Sequence, residues 1–482
     1  MVKNSDHRVA NQQRILLRLL GALRPHWRRD RDLPNRIRKL LAAEKAFGSR
    51  DRRLYRELIY TAVRYLPWIE PRLDSDPDAA VAAIAWLAAE TPATAGFRAA
   101  ILNAGPPTSE VGPDVAGGPQ ASSALWPACP PTVAAQEAEL RPRLGATAPL
   151  PSLLPEWFRA HCPAAFEPIE LNALHTRPPL WLRFQAADPE PALAEFAARG
   201  WTATASPLLP GAYRIHGEAD VTKTEAYLSG AFEIQDLGSQ LILAAVGIAP
   251  GGRWLDACAG AGGKTRQLSA LLGPEGRIDA HDIRPAALDE LAERARRAGL
   301  PVGRAAPGDL RSQISNLKSA GAPSAAFNFQ PSTFNSSTAS IRITSTPTGP
   351  YDTVLVDAPC SGSGTWRRAP HLKWTTTPAW IASDAARQRD LLHRFSALVK
   401  RGGRLIYATC SLSRAENEDV ISAFLSAHPD FAPAPLAGLS APGLRPAFHV
   451  LSETLHPASS LTILPSWHET DGFYVCTLGR KD

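Results

Sequence analysis

Between residues 10 and 100, apolar positions recur at helical spacing and strand signals are few. In Asp51-Arg-Arg-Leu-Tyr-Arg-Glu-Leu-Ile-Tyr-Thr-Ala-Val-Arg-Tyr65, the residues Leu54, Leu58, Ala62 and Tyr65 share one helical face. Arg52, Arg53, Arg56 and Arg64 are thereby left for solvent or phosphate. From 105 to 131 the chain turns to Pro, Gly, Ser and Ala with no sustained period, which predicts a linker. Helix resumes over 133–140, and Pro179-Leu-Trp-Leu-Arg-Phe184 reads as a strand. A helix follows over 191–199, with Pro191 in its first turn and Gly200 as its cap.

Beyond residue 230 the pattern alternates. Strands are predicted at 253–259, 277–282, 351–357 and 404–409, and helices at 264–272, 285–298, 385–400 and 414–427. This rhythm predicts an α/β fold, a mostly parallel sheet with crossover helices. Residues 312–350, rich in Ser, Thr, Ala and Pro, break it and read as an inserted loop. Four parts result: a helical domain over 1–103, a Pro/Gly/Ala-rich linker over 104–132, a small α/β module over 133–230, and a larger α/β domain over 231–482.

With 482 residues the chain is too long for one hydrophobic core. No apolar run approaches the ~20 residues of a membrane span. Arg18 interrupts the best N-terminal candidate, which argues against a signal peptide. Six cysteines without a CxxC pair suggest free thiols in a reducing cytoplasm and no metal site. Charge is uneven: residues 1–60 hold sixteen Lys/Arg against six Asp/Glu, and the remainder is slightly acidic. A basic module points to a polyanion, nucleic acid first, although a solvated helix surface explains the same charge.

Trp254-Leu-Asp256-Ala-Cys-Ala-Gly260-Ala-Gly262-Gly263-Lys264-Thr265 reads as strand, glycine-rich turn and helix start. Such a turn lets backbone approach a ligand, and the helix N-terminus favours negative charge. A P-loop would need glycine at 258, which is Cys, although Val354-Leu-Val-Asp357 imitates the second NTPase motif. A dinucleotide GxGxxG fails at Thr265. The third reading is S-adenosylmethionine, with its methionyl part on the loop Ala257, Cys258, Ala259, Gly260, Ala261, Gly262, Gly263 and Lys264. Asp282, 22 residues after Gly260, ends the next strand and would take the ribose hydroxyls. Asp309 falls where a third strand would end and would face the adenine. Helix capping is the alternative duty for both acids.

Two cysteines close apolar strands: Cys360 after Tyr351-Asp-Thr-Val-Leu-Val-Asp357-Ala-Pro, and Cys410 after Arg404-Leu-Ile-Tyr-Ala-Thr. Carboxyl ends of strands are where α/β sheets bind ligands. Either cysteine alone is better explained as a small buried apolar residue. Two of them beside Asp357 and a methyl-donor loop suggest covalent chemistry on cytosine. A thiolate added at C6 makes C5 an enamine carbon able to take a methyl group, with Asp357 assisting at N3. A second thiol can assist release.

These motifs, with Phe232-Glu-Ile-Gln-Asp236-Leu-Gly-Ser-Gln240 and the run from Pro465 to Asp471-Gly-Phe-Tyr474, resemble the Sun/Fmu (RsmB-like) family of RNA cytosine-5 methyltransferases. The likeness covers roughly 150–482. It implies a Rossmann-like class I methyltransferase domain preceded by a small α+β RNA-binding module. It further implies S-adenosylmethionine as cofactor, Cys410 as the C6 nucleophile and Cys360 as the release residue. Asp282, Asp309 and Asp357 then take cofactor and substrate roles, with Lys264 near the active site. The N-terminal helices resemble the NusB-like RNA-binding domain of members acting on small-subunit ribosomal RNA. The expected partner is therefore ribosomal RNA, bound by a cytoplasmic monomer with neither membrane nor metal. Transfer RNA is the alternative substrate, and a P-loop NTPase or a non-catalytic RNA-binding protein are the alternatives of another class.

Overall fold

The computed structural model describes residues 2–103, 126–186, 188–305, 337–440 and 459–482. Contacts divide the chain into two compact units. One is Met1–Arg177 with Trp366–Thr377, the other Pro178–Thr365 with Pro378–Asp482.

The first unit is helical, with Val2–Leu23, Leu33–Ala43, Ser49–Arg64, Pro77–Leu87, Ala95–Asn103 and Val133–Arg143 as its longer helices. Helix starts follow their sequence signals. The Asp76 carboxylate accepts from the backbone N–H of Ala79 ahead of Pro77, and the Thr132 hydroxyl accepts from that of Ala135. Leu54, Leu58, Ala62 and Tyr65 are buried as their spacing predicts, in a core with Leu16, Leu19 and Trp86. Arg64 departs from expectation. It is buried, and its guanidinium donates to the Arg367 carbonyl at 3.0 Å, so it is not offered to phosphate.

The segment Trp366–Thr377 completes this core from far along the chain. The Trp366 ring is fully buried 4.5 Å from Phe158, and the Trp374 indole donates to the Val63 carbonyl. Lys373 is fully buried too, and burial pushes its ammonium well below the usual lysine range. The carbonyls of Arg64 and Leu153 and the His175 ring lie around its Nζ at 2.8–3.2 Å. Those three acceptors match the three donors of an ammonium.

The second unit opens with a four-stranded antiparallel sheet of β1 (Leu180–Phe184), β2 (Thr202–Ala205), β3 (Ala212–His216) and β4 (Phe232–Ile234), ordered β2-β3-β1-β4. A nine-stranded sheet follows: β5 (Arg253–Asp256), β6 (Arg277–Ala280), β7 (Val302–Arg304), β8 (Ser340–Ile343), β9 (Tyr351–Asp357), β10 (Val399–Thr409), β11 (Phe431–Pro433), β12 (Ser460–Ile463) and β13 (Phe473–Arg480). Its order is β11-β13-β10-β9-β5-β6-β8-β7, with β12 on β13. The strands from β10 to β7 are parallel, and β13 is antiparallel to β10, β11 and β12. Buried Glu233 on β4 pairs with Arg266, Arg294 and Arg297, tying the small sheet to the helices after β5 and β6.

Two expectations change. Residues 340–343, read as inserted loop, form β8 beside β6. Ile341 and Ile343 are buried, and Arg342 on the alternate side pairs with Asp279 of β6 at 2.7 Å. The strand neighbouring β6 is therefore β8 and not the one expected to end at Asp309, which lies outside the described residues. The helix expected over 385–400 runs instead over Pro378–Ser396, and Val399 and Lys400 begin β10. Gly402 and Gly403 lie where its register with β9 shifts. Among the described residues, no helix is long and apolar enough to cross a membrane.

Candidate active site

β5, β6, β9 and β10 deliver the candidate residues to one edge of the sheet, their carboxyl ends. After β5 the chain turns through Gly260 and Gly262, both with positive φ, into the helix Gly263–Leu272. A Cβ at Gly262 would lie 2.6 Å from the Leu291 side chain, so the turn needs glycine. Beneath it, Asp256 is buried and accepts from the Thr265 hydroxyl at 2.7 Å. Burial pushes the Asp256 carboxyl up to about 7.

Asp282 follows β6 and accepts from the Gly260 N–H at 2.9 Å, locking the turn to the next strand. Both its oxygens also meet the Arg284 guanidinium, at 2.9 and 3.0 Å, and Oδ1 accepts from the Arg284 N–H. Burial alone would raise the Asp282 carboxyl, but these bonds outweigh it and hold the group below the usual range. The carboxylate is 5% exposed, whereas Arg284 is 68% exposed. Beside the pair is a cavity of about 470 Å³, lined among others by Ile283, Arg304, Ile343, Ser345 and Arg394. That volume falls within the roughly 300–1,000 Å³ of small-molecule sites. Buried Nε2 of His281, another lining residue, lacks a hydrogen-bond partner among the described residues. The sequence reading missed this lining, because β8 supplies part of it.

On the other side, the Lys264 ammonium lies 2.8 Å from the Asp357 carboxylate at the end of β9. Burial works against the lysine charge, but Asp357, Cys410 and Asp256 outweigh it and hold Lys264 above its usual range. Cys360 and Cys410, fifty positions apart, bring their sulfurs to 3.4 Å. The hydrogen bond to Cys410, then burial, pushes the Cys360 thiol well up. Close backbone contact holds this region: Gly364 N–H donates to the Cys410 carbonyl, and Gly472 N–H to that of Gly364. A Cβ on Gly364 would stand 2.1 Å from the Gly472 carbonyl oxygen. Cys258 points to no such chemistry. It sits between the acids Asp256, Asp357 and Asp282, and burial foremost drives its thiol far up.

The sequence reading also missed Glu416 and Asn417. Buried Glu416 accepts from the N–H and hydroxyl of Ser361, from the Ser411 hydroxyl at 2.6 Å and from Gln388 at 3.2 Å. Asn417 accepts from the Thr409 hydroxyl at 2.6 Å and donates to the Ser411 carbonyl at 2.9 Å.

A parallel sheet with a glycine turn after one strand, an acid after the next and an adjoining cavity defines a Rossmann-like domain of the methyltransferase class. Comparison with known proteins narrows this. Residues 244–329 and 330–479 match the model of the 16S rRNA methyltransferase RsmB/F family. The chain is 31% identical over 336 residues to the probable ribosomal RNA small subunit methyltransferase B of Bacillus subtilis, covering 68% of this chain and 66% of that one. It is 33% identical over 280 residues to the protein of that name from Synechocystis, covering 58% of this chain and 54% of the relative. The chain thus spans about half to two thirds of the length of these relatives. The solved structure of NSun6 from Pyrococcus horikoshii with SFG shares the fold, with TM-score 0.52 and 16% identity over 69% of this chain and 98% of that one. The chain belongs to the RsmB/F methyltransferase family, the Sun/Fmu group its motifs resemble. Its cofactor is accordingly S-adenosylmethionine.

Proposed function

We propose that this chain methylates C5 of a cytosine in RNA, with small-subunit ribosomal RNA as the substrate its relatives' names favour. The observation carrying this reading is the 3.4 Å approach of Cys360 and Cys410 beside the Lys264–Asp357 pair. S-adenosylmethionine, when bound, supplies an electrophilic methyl group. The glycine turn from Ala257 to Gly263 would cradle its methionyl part, and Asp282 its ribose. The cavity at the ends of β6 and β8 would take the adenine.

In this reading Cys410 attacks C6 as its thiolate, the nucleophilic form of cysteine. Asp357, held by Lys264, assists at N3 while electron density moves to C5. Once C5 carries the methyl group, loss of the C5 proton and cleavage of the Cys410–C6 bond regenerate the thiol, and Cys360 is placed to assist that release. Both sulfurs must be reduced, so a reducing compartment such as the cytoplasm is assigned. The helical domain 1–103, assigned as NusB-like, and the module 133–230 are proposed to bind RNA. C6 is unreachable in a stacked base, so the target cytosine is single-stranded or flipped.

Cys410→Ala should reduce methyl transfer to background. Cys360→Ala should leave a protein–RNA adduct that survives denaturing electrophoresis. An adduct from Cys410→Ala and none from Cys360→Ala would reverse the two roles. Bisulfite sequencing of RNA from a deletion strain should show one cytosine losing protection. Loss of methylation at another atom instead would overturn the reading.

A further inference from the structure

Of the four residues flanking the two sulfurs, three bond directly to one short stretch of chain, and the fourth reaches it through Gln388. Before Cys360, the Pro359 carbonyl accepts from Gln388 at 3.0 Å, and Gln388 also donates to Glu416. After Cys360, Ser361 gives both its N–H and its hydroxyl to Glu416. Before Cys410, Thr409 donates to Asn417. After it, Ser411 gives its hydroxyl to Glu416 and receives the Asn417 amide on its carbonyl. Ser363 adds a cross-brace, meeting the Ser411 hydroxyl at 2.9 Å and accepting from the Leu412 N–H at 2.9 Å.

We propose that Glu416 is a positioning residue: its buried carboxylate clamps the two thiol-bearing loops together and thereby sets the separation of Cys360 and Cys410. This rests on the proposed covalent chemistry of those thiols. A carboxylate suits the place, with Oε1 accepting from the Ser361 N–H and Gln388, and Oε2 from the Ser361 and Ser411 hydroxyls. Asn417 holds the Cys410 loop alone, whereas Glu416 bonds to both loops and adds to the direct contacts that Ser363 and Gly364 make across them. Glu416 touches neither sulfur in these contacts. It acts on catalysis through the distance it imposes, where a misplacement of about 1 Å costs on the order of 100-fold.

Glu416→Leu tests this role, because it keeps most of the bulk and removes both accepting oxygens. The full-length protein would be titrated with S-adenosylhomocysteine, assayed for kcat on RNA, and treated with phenylarsine oxide, which bridges two thiols already side by side. The clamp predicts that arsenical bridging of Cys360 and Cys410 weakens at least about tenfold and kcat falls about 100-fold. Binding of S-adenosylhomocysteine should stay within about twofold, since the cofactor turn lies on other strands. A folded Glu416→Leu protein with wild-type kcat and wild-type arsenical bridging overturns the proposal. Should that variant not fold, Ser361→Ala removes one hydroxyl tether and should weaken bridging several-fold; unchanged bridging there also overturns it. Arsenical bridging needs no RNA, so the two readings fail separately. Bridging that depends on Glu416 in a protein that methylates no cytosine would keep the clamp and sink the function.

Discussion

The two halves of the candidate site are held in opposite ways. On the cofactor side, Asp282 is tied to an arginine that is 68% exposed, at the rim of a cavity of about 470 Å³. On the thiol side, Ser361, Ser363, Ser411, Glu416 and Asn417 are all at most 1% exposed and bonded among themselves. A ligand that enters and leaves each cycle needs partners that can be exchanged cheaply. In the proposed chemistry, two sulfurs must meet one carbon and its neighbour, and they need a frame that does not move. Exposed ion pairs contribute ~0–1 kcal/mol, whereas breaking a buried polar network costs several.

The sharpest test of this division is Lys264→Met, which sits where the halves meet. It should lower kcat on the order of 100-fold by leaving the Asp357 carboxylate without its cation. Affinity for S-adenosylhomocysteine should change little; an equal loss there would merge the halves into one unit. Next, Asp282→Asn should weaken S-adenosylhomocysteine binding about 10- to 100-fold in a calorimetric titration while sparing kcat at saturating cofactor. Arg284→Ala should shift the same affinity by less than about fivefold, because its exposed bond to Asp282 is readily given up. A large loss with Arg284→Ala would make the arginine a cofactor ligand.

A separate test concerns pH. Asp256 has its carboxyl raised to about 7. The folded state therefore keeps a proton that the unfolded chain releases above its ordinary carboxyl range near 4. Stability from this group is present at low pH and is lost as pH rises from about 4 to 7, by at most ~1.4 kcal/mol per pH unit. Denaturant titrations at pH 5, 6, 7 and 8 should show wild type losing stability relative to Asp256→Asn up to pH 7, then levelling.

Much of the cofactor half was legible, because glycine turns and strand-end acids are local signals. The strand Tyr351–Asp357 lies where its apolar run predicts. β8 was obscured by its Ser/Thr-rich surroundings, although Ile341 and Ile343 alternate with Ser340 and Arg342 as a strand requires. Four residues are too few for that period to stand out. Glu416 was hidden differently. In Arg414-Ala-Glu-Asn-Glu-Asp419 it looks like any charged helix start, and only the sheet brings Ser361 to it. Likewise, nothing near Trp366 or Lys373 in sequence says that they complete the core of the N-terminal helices.

That last arrangement limits how the protein can be taken apart. The unit that holds the candidate site is not one stretch of chain, since twelve of the residues between Cys360 and Cys410 belong to the other unit. A cut before Pro178 would strip Lys373 of the carbonyls of Arg64 and Leu153, and Trp366 of Phe158. The excised piece would carry an unpaired ammonium and bare indoles on the loop that follows Cys360. A cut at that boundary would therefore yield insoluble protein more readily than a free-standing unit, so residues 366–377 have to stay with residues 1–177 when the chain is divided.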